Sequence, residues 1–356
     1  MDTIIRKTAT AMVNTVTGQV KKDSDFTGHH ESIYDKIERE IMNSDISEAE
    51  KNKKLSGLLK ARGQKINLML VGSTGSGKSS TINSLFNTSV AKVGVGVDPE
   101  TRDIECYQLE NLVIWDSPGL GDGKDADSRY SSEIISKLSE TDKNGVPVID
   151  LVLVVVDAAS KDMGTTYNLI NNVLIPSLTP DNKNRIIIAV NQADMAMKGN
   201  HWNYEKNCPD DILADLLNRK CKSIQNRIQE STGYEFKVMY YCAGYTDDDG
   251  TQRPAYNLTK LLYNVVMSLP AEKRLAIAEN LNNDDDMWKY DDEEEDYVNA
   301  MAESFGEVFL DTLSSYAEKG TICGGTALGI PGAVIGTVIG GAVGAIAGIF
   351  KGIFGR

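Results

Sequence analysis

The spacing of apolar positions changes character near Ile66. Upstream, residues 31–63 carry apolar side chains at helical intervals, with a break near Asn43–Asp45 and Ser47 placed as an N-cap, which predicts two helices. Ahead of them Ile4, Ile5, Met12, Val13, Val16 and Val20 fall on one face of a further short helix, read either as a partner-binding helix or as a packing arm. Ser24–His30 reads as a linker. From Ile66 onward short apolar runs take over: Ile66–Val71, Ile104–Leu109, Leu112–Trp115, Leu151–Val156, Arg185–Val190 and Phe236–Tyr241. Several are apolar on consecutive positions, the pattern of strands buried on both faces of a largely parallel sheet.

Helical stretches lie between these runs. One is Pro209–Ser231, with Pro209 in its first turn, Asp210 and Asp211 at its positive end and Gly233 just past its last turn; another is Ala255–Leu269. Strand–helix alternation of this kind predicts a doubly wound α/β domain, a mostly parallel sheet with helices on both faces. Beyond Leu269 a helical stretch runs to about Leu281. The acidic run Asp284–Asp296 then reads as a solvated linker, or as a cover for a basic surface. Tyr297, Met301, Phe305, Val308, Phe309, Thr312 and Tyr316 recur at helical spacing, for a helix lying on a membrane interface or packed on the α/β domain. The expected organisation is an N-terminal helical region over 1–64, the α/β domain over 65–270, a helical and acidic connector over 271–319 and a Gly-rich segment over 320–356.

Four loops carry the chemistry. The first apolar run enters Gly72-Ser73-Thr74-Gly75-Ser76-Gly77-Lys78-Ser79, a G-x-x-x-x-G-K-S motif between a strand and a helix. Glycines let successive backbone N–H groups converge on a phosphate, and the following helix, with Ser80 in its first turn, adds its positive end. Lys78 reaches the β- and γ-phosphates, and the Ser79 hydroxyl ligates Mg²⁺. Trp115-Asp116-Ser117-Pro118-Gly119 ends a second strand, so Asp116 is placed for the Mg²⁺ shell and the Gly119 N–H for the γ-phosphate. A third strand ends in Asn191-Gln192-Ala193-Asp194. The Asp194 carboxylate suits the N1–H and 2-amino donors of guanine, a pair that adenine lacks. Asn191 ties that loop to the first. Cys242 and Ala243 end the last strand, with the Ala243 N–H aimed at guanine O6. The implied cofactors are GTP or GDP with Mg²⁺.

This set resembles the translation-factor-related GTPases, most closely the Era-like branch of the YfjP type, over roughly Ile66 to Leu269. The resemblance rests on Asp116-Ser-Pro-Gly119 and on Asn191-Gln-Ala-Asp194, where Gln192 replaces the commoner Lys and is expected to loosen the base loop. It implies a P-loop GTPase domain that hydrolyses GTP to GDP and phosphate. A switch threonine that ligates Mg²⁺ and senses the γ-phosphate falls between Ser79 and the second strand. Thr101 fits this place and the family pattern; Thr88 is the alternative, close to the first helix. The water-orienting Gln that many relatives carry after the Asp-x-x-Gly glycine is Leu120 here, and the potassium-linked Asn position is Gly75. Slow hydrolysis is therefore expected, raised by a dimer or a partner. Arg102 is either a group acting in trans or a solvent-facing side chain, and Asp122, Asp125 and Asp127 read as solvated.

Composition and charge narrow the partners. The 356 residues carry a formal charge of −14, which weighs against nucleic acid across the whole surface. Lys51, Lys53, Lys54, Lys60, Arg62 and Lys65 form a local basic stretch, read as a solvated helix face or a contact for anionic lipid or RNA. Five Cys without a Cys-x-x-Cys pair and three His point to a reduced setting without zinc. No secretory signal is read. Thr321–Phe350 has no charged residue and is long enough to cross a bilayer. Gly320, Gly324, Gly332, Gly336, Gly340, Gly344, Gly348 and Gly352 fall every four residues, with Leu328 breaking the series. Helical glycine costs about 1 kcal/mol in water, whereas small-residue stripes allow close helix approach in lipid. Membrane insertion, a buried oligomerisation helix and a disordered tail are the competing readings. The expected function is a GTP switch coupled to membrane association at the cytoplasmic face. A GTP-gated membrane-active effector and a ribosome- or RNA-associated assembly factor are the alternatives.

Overall fold

The computed structural model describes residues 20–22, 32–45, 47–86, 103–121, 123–178, 185–246 and 252–305. In chain order the elements are β1 (Val20–Lys22), α1 (Ile33–Asn43), α2 (Glu48–Arg62), β2 (Ile66–Gly72), α3 (Lys78–Leu85), β3 (Glu105–Gln108), β4 (Leu112–Asp116), α4 (Lys124–Leu138) and β5 (Leu151–Asp157). They continue with α5 (Gly164–Asn168), β6 (Ile186–Asn191), β7 (Trp202–Asn203), β8 (Cys208–Pro209), α6 (Asp211–Thr232), β9 (Lys237–Tyr240), β10 (Tyr245–Thr246), β11 (Gln252–Arg253), α7 (Leu258–Ser268) and α8 (Ala271–Ala278). A last helix, α9, covers 297–305.

Seven strands form one sheet in the order β1-β3-β4-β2-β5-β6-β9. Every pairing is parallel except β3 with β4, which are antiparallel. The central strands are apolar at successive positions because both faces are covered. On one face Leu68, Leu70, Leu153 and Ala189 meet α1, α2, α3, α7, α8 and α9. On the other Met69, Val71, Val154 and Val190 meet α4, α6 and the helical stretch after α5. A parallel sheet sends its carboxyl-end loops to one edge, so the loops after β2, β5, β6 and β9 open there together. Strand β4, paired in parallel with β2, brings Asp116 to the same edge.

The N-terminal helices begin as expected. Ser32 caps α1 by accepting from the Tyr34 N–H, and Ser47 with Glu50 closes a capping box on α2. Tyr34 is buried and donates its hydroxyl to Ala61 O at 3.3 Å, which locks the two helices together.

Four expectations are corrected. Val20 is not helical: Val20–Lys22 pairs in parallel with β3, because the open edge of β3 offers unpaired N–H and C=O groups. Pro209 is not in the first turn of α6. It lies in β8, and Asp210 is the N-cap, accepting from the Ile212 and Leu213 N–H groups. Helix α7 starts at Leu258 rather than Ala255, after Asn257 in a left-handed conformation.

The fourth correction concerns the acidic run, which is no solvated linker. Trp288 is fully buried beneath it and donates Nε1–H to Asn282 O at 2.8 Å. Lys260 of α7 donates to Asp292 and to Glu294, at 2.7 Å each. Asp292 also accepts from the Tyr297 hydroxyl at 2.7 Å. An aromatic anchor and a half-buried ammonium thus turn the run into a strap across α7. Helix α9 follows it and packs on the domain, with Tyr297, Val298, Met301, Ala302 and Phe305 all buried. Among the described residues no helix is long and apolar enough to cross a membrane. The Gly-rich segment 320–356 lies outside the described residues.

Candidate nucleotide site

The P-loop forms where β2 stops and α3 starts. Gly77 precedes the helix with φ +88°, and a Cβ there would collide with Asn191 Nδ2. Thr81 Oγ1 donates to Gly77 O at 2.7 Å and accepts from the buried Tyr241 hydroxyl at 2.6 Å, so the first turn of α3 is fixed to the chain following β9. Ser84 of the same helix donates to Ala243 O at 2.6 Å. Lys78 is buried and lies back along the loop, with Nζ 3.2 Å from Ser73 O. Ser73, Thr74, Gly75 and Ser79 line the exposed side of the same turn. Ser76 Oγ is buried without a hydrogen-bond partner.

The loop after β4 is zipped to the P-loop. Leu120 N donates to Gly72 O at 3.1 Å, and Thr74 N donates to Leu120 O at 3.0 Å. Gly119 sits so close to Thr74 that a Cβ would overlap its backbone, which explains the glycine by packing as well as by approach to a phosphate. The Leu120 side chain is turned into the core, so this position offers no polar group to a water. Asp127, read as solvated, accepts from the Gly121 N–H at 2.8 Å and shapes the entry to α4.

The third and fourth loops meet the first directly. Asn191 is buried and donates Nδ2–H to Ser76 O at 3.0 Å, while its Oδ1 accepts from the Ala243 N–H at 3.0 Å. One amide thereby joins three loops. It also corrects the reading of Ala243, whose N–H is held by Asn191 rather than aimed at a base. Gln192 does not loosen the loop either: its Nε2 donates to Gly75 O at 2.8 Å. Asp194 is buried, and burial pushes its carboxyl above the usual range, partly offset by the Cys242 thiol, which donates to Oδ1 at 3.1 Å. Cys242 is thus a partner of the Asp194 carboxylate. Thr101, Arg102 and Thr88 lie outside the described residues.

Residues 66–235 match the model of the AIG1 family. The fold is that of a P-loop GTPase. Similar solved structures include a probable GTP-binding protein engB, at 19% identity, covering 57% of this chain and 97% of that one with a TM-score of 0.36. Era in complex with MgGDPNP and a piece of 16S ribosomal RNA is 17% identical, with 58% of each chain covered and a TM-score of 0.38. Toc33 from Arabidopsis thaliana with Mg²⁺ and GMPPNP is 14% identical, covering 68% of this chain and 98% of that one with a TM-score of 0.40. No curated protein matches the chain in sequence.

A metal fits the GTPase site on the chain's own terms. Ser79 Oγ donates to Asp116 Oδ2 at 2.9 Å, and the fully buried Asp116 leaves Oδ1 without a partner. Burial pushes the Asp116 carboxyl up to about 6, against the pull of Lys78 and Ser79, and Glu105 adds to the rise. A buried carboxylate of this kind is stabilised by a cation. Among the described residues no group of three or more His, Cys, Asp or Glu could hold a metal unaided. The donor set of one hydroxyl and one carboxylate instead suits Mg²⁺, which keeps waters and takes phosphate oxygens. Held by Ser79 and Asp116, Mg²⁺ would supply positive charge against the phosphates of a nucleotide.

The residues that sequence reasoning missed are supports. Thr81, Ser84 and Tyr241 fix one loop against another. Tyr241 stands next to the predicted Cys242–Ala243 end, yet nothing local marks its contact with Thr81.

Proposed function

We propose that the chain binds GTP and GDP with Mg²⁺ and hydrolyses GTP, working as a nucleotide switch that governs membrane association. The single observation that carries the nucleotide reading is the Asn191 side chain, hydrogen-bonded both to the P-loop and to the last loop. It supports the reading because it ties the Asn191–Asp194 loop both to Ser76 of the P-loop and to Ala243 of the last loop. Ser79, Asp116 and Thr101 are the proposed metal residues. Lys78, with the amides of Gly72–Ser80 and Gly119, takes the phosphates. Gln192, Asp194, Cys242 and Ala243 frame the base. The closer affinity with Era-like enzymes, read from the Asp116–Gly119 and Asn191–Asp194 forms, belongs to the same proposal. With Leu120 in the core, hydrolysis is slow until a second copy or a partner completes the site.

Asp194→Asn tests the base assignment. The amide can donate where guanine also donates, so GTP affinity is expected to fall about 100-fold, with xanthosine triphosphate preferred instead. Binding of ATP as tight as GTP by the parent protein would remove the assignment.

The membrane arm of the proposal rests on the uncharged stretch Thr321–Phe350 and on how the chain reaches it. Phe86, the last described residue before the switch segment, pairs with Leu281, and Asn282 N donates to Leu85 O at 3.0 Å. The strap and α9 then lead on toward the Gly-rich segment. The protein is expected at the inner face of the membrane in the cytoplasm, with lipid and a second copy as partners and no nucleic acid. Fractionation with and without a non-hydrolysable GTP analogue tests the coupling. Removing residues 320–356 is expected to release the protein into the soluble fraction. If the shortened chain still sediments with membranes, the anchor lies elsewhere.

A further inference from the structure

We propose that Glu105 is a second positioning carboxylate for Mg²⁺, set on β3 directly across from Asp116. The proposal rests on the reading of this edge as a Mg²⁺–nucleotide site. Strands β3 and β4 are antiparallel, and their register pairs Glu105 with Asp116. Side chains of a directly opposed pair leave the sheet on the same face, with Cβ atoms about 5 Å apart. Asp116 points on that face toward Ser79.

The carboxylate is also aimed. Tyr107, two residues along β3 and therefore on the same face, is buried and donates its hydroxyl to Glu105 Oε2 at 2.6 Å. Two like charges on opposed positions destabilise a strand pair. A divalent cation between them and the phosphates reverses that cost. The independent pointer to a ligand is Asp116 Oδ1, which is fully buried and has no hydrogen-bond partner. Mg²⁺ surrenders its waters reluctantly. Glu105 therefore acts through a metal-bound water and not as a direct ligand. It orients the hydration shell and adds negative charge beside Asp116. Outer-shell partners of this kind carry about 10- to 100-fold in metal affinity.

The test follows release of a fluorescent GDP derivative from the full-length chain across a Mg²⁺ titration, a readout independent of hydrolysis. Glu105→Gln is expected to raise the Mg²⁺ concentration that half-maximally slows release by about tenfold. Release in excess EDTA is expected to stay at the parental rate. Tyr107→Phe, which keeps the carboxylate but removes the tyrosine hydrogen bond that aims it, is expected to shift the midpoint the same way by less. An unchanged midpoint in Glu105→Gln overturns the proposal, and so does a faster release in EDTA, which marks a merely structural role. Asp116→Asn separates the two levels of inference. If it shifts the midpoint and Glu105→Gln does not, only the role of Glu105 fails. If Asp116→Asn is also silent, or the parent ignores Mg²⁺, the metal reading of the whole site fails with it.

Discussion

Lys78→Ala is expected to lower GTP affinity by about 100-fold or more, because truncating one partner of a buried charge pair costs about 2–5 kcal/mol. The ammonium is buried at the start of α3, and its contact with Ser73 O holds it along the loop proposed to receive the phosphates. No other described Lys or Arg belongs to the P-loop motif, so the loss has no local substitute. The backbone cradle survives the change, since Asn191, Gln192 and Thr81 fix the loop through main-chain oxygens of Ser76, Gly75 and Gly77. Thermal unfolding of the nucleotide-free variant is therefore expected near that of the parent, while calorimetric titration with GTP shows the loss. Parental affinity in the variant would refute the phosphate assignment.

Trp288→Ala is expected to destabilise the protein by about 3–5 kcal/mol. The indole is fully buried and sits among the core residues shared by α7, α8 and α9. Its Nε1–H bond to Asn282 O holds the turn ahead of the strap, and the bond from Thr259 Oγ1 to Trp288 O at 3.2 Å ties the strap to α7. Removal leaves a large cavity and cuts the first of these bonds. Asn282 is also the residue that caps α3, donating to Ser84 O at 3.1 Å and Leu85 O at 3.0 Å. The damage therefore extends to the helix that carries Lys78. A fall in melting temperature of about 10 °C is expected. Limited proteolysis is expected to cut within 284–296 before the rest of the domain. A variant as stable and protease-resistant as the parent would return this run to the status of a linker.

The strap illustrates where sequence reasoning stopped. Asp284–Asp296 has the composition of a solvated segment, and composition counts every carboxylate alike. What anchors it is one tryptophan and one lysine, Lys260, that lies 32 residues from Asp292 along the chain. The two-residue strand β8 and the strand at Val20 escaped for a related reason, since such short pieces have no period to detect. Thr101 and the Gly-rich segment stand as sequence expectations, outside the described residues.

The chain's own order of residues determined the α/β architecture and the four nucleotide loops. Each loop is a local event: a run of buried apolar residues ends, and a few residues of defined chemistry follow before the next helix. Glycines, a lysine and a serine in one turn are legible because the turn itself needs them. Tertiary structure decided how the loops engage. Asn191 finds Ser76 at a separation of 115 residues and Gln192 finds Gly75 at 117, and the pairing of Glu105 with Asp116 depends on the register of β3 on β4. Contacts of that span leave no periodic trace, because their partners are brought together only when the sheet stacks its strands in order.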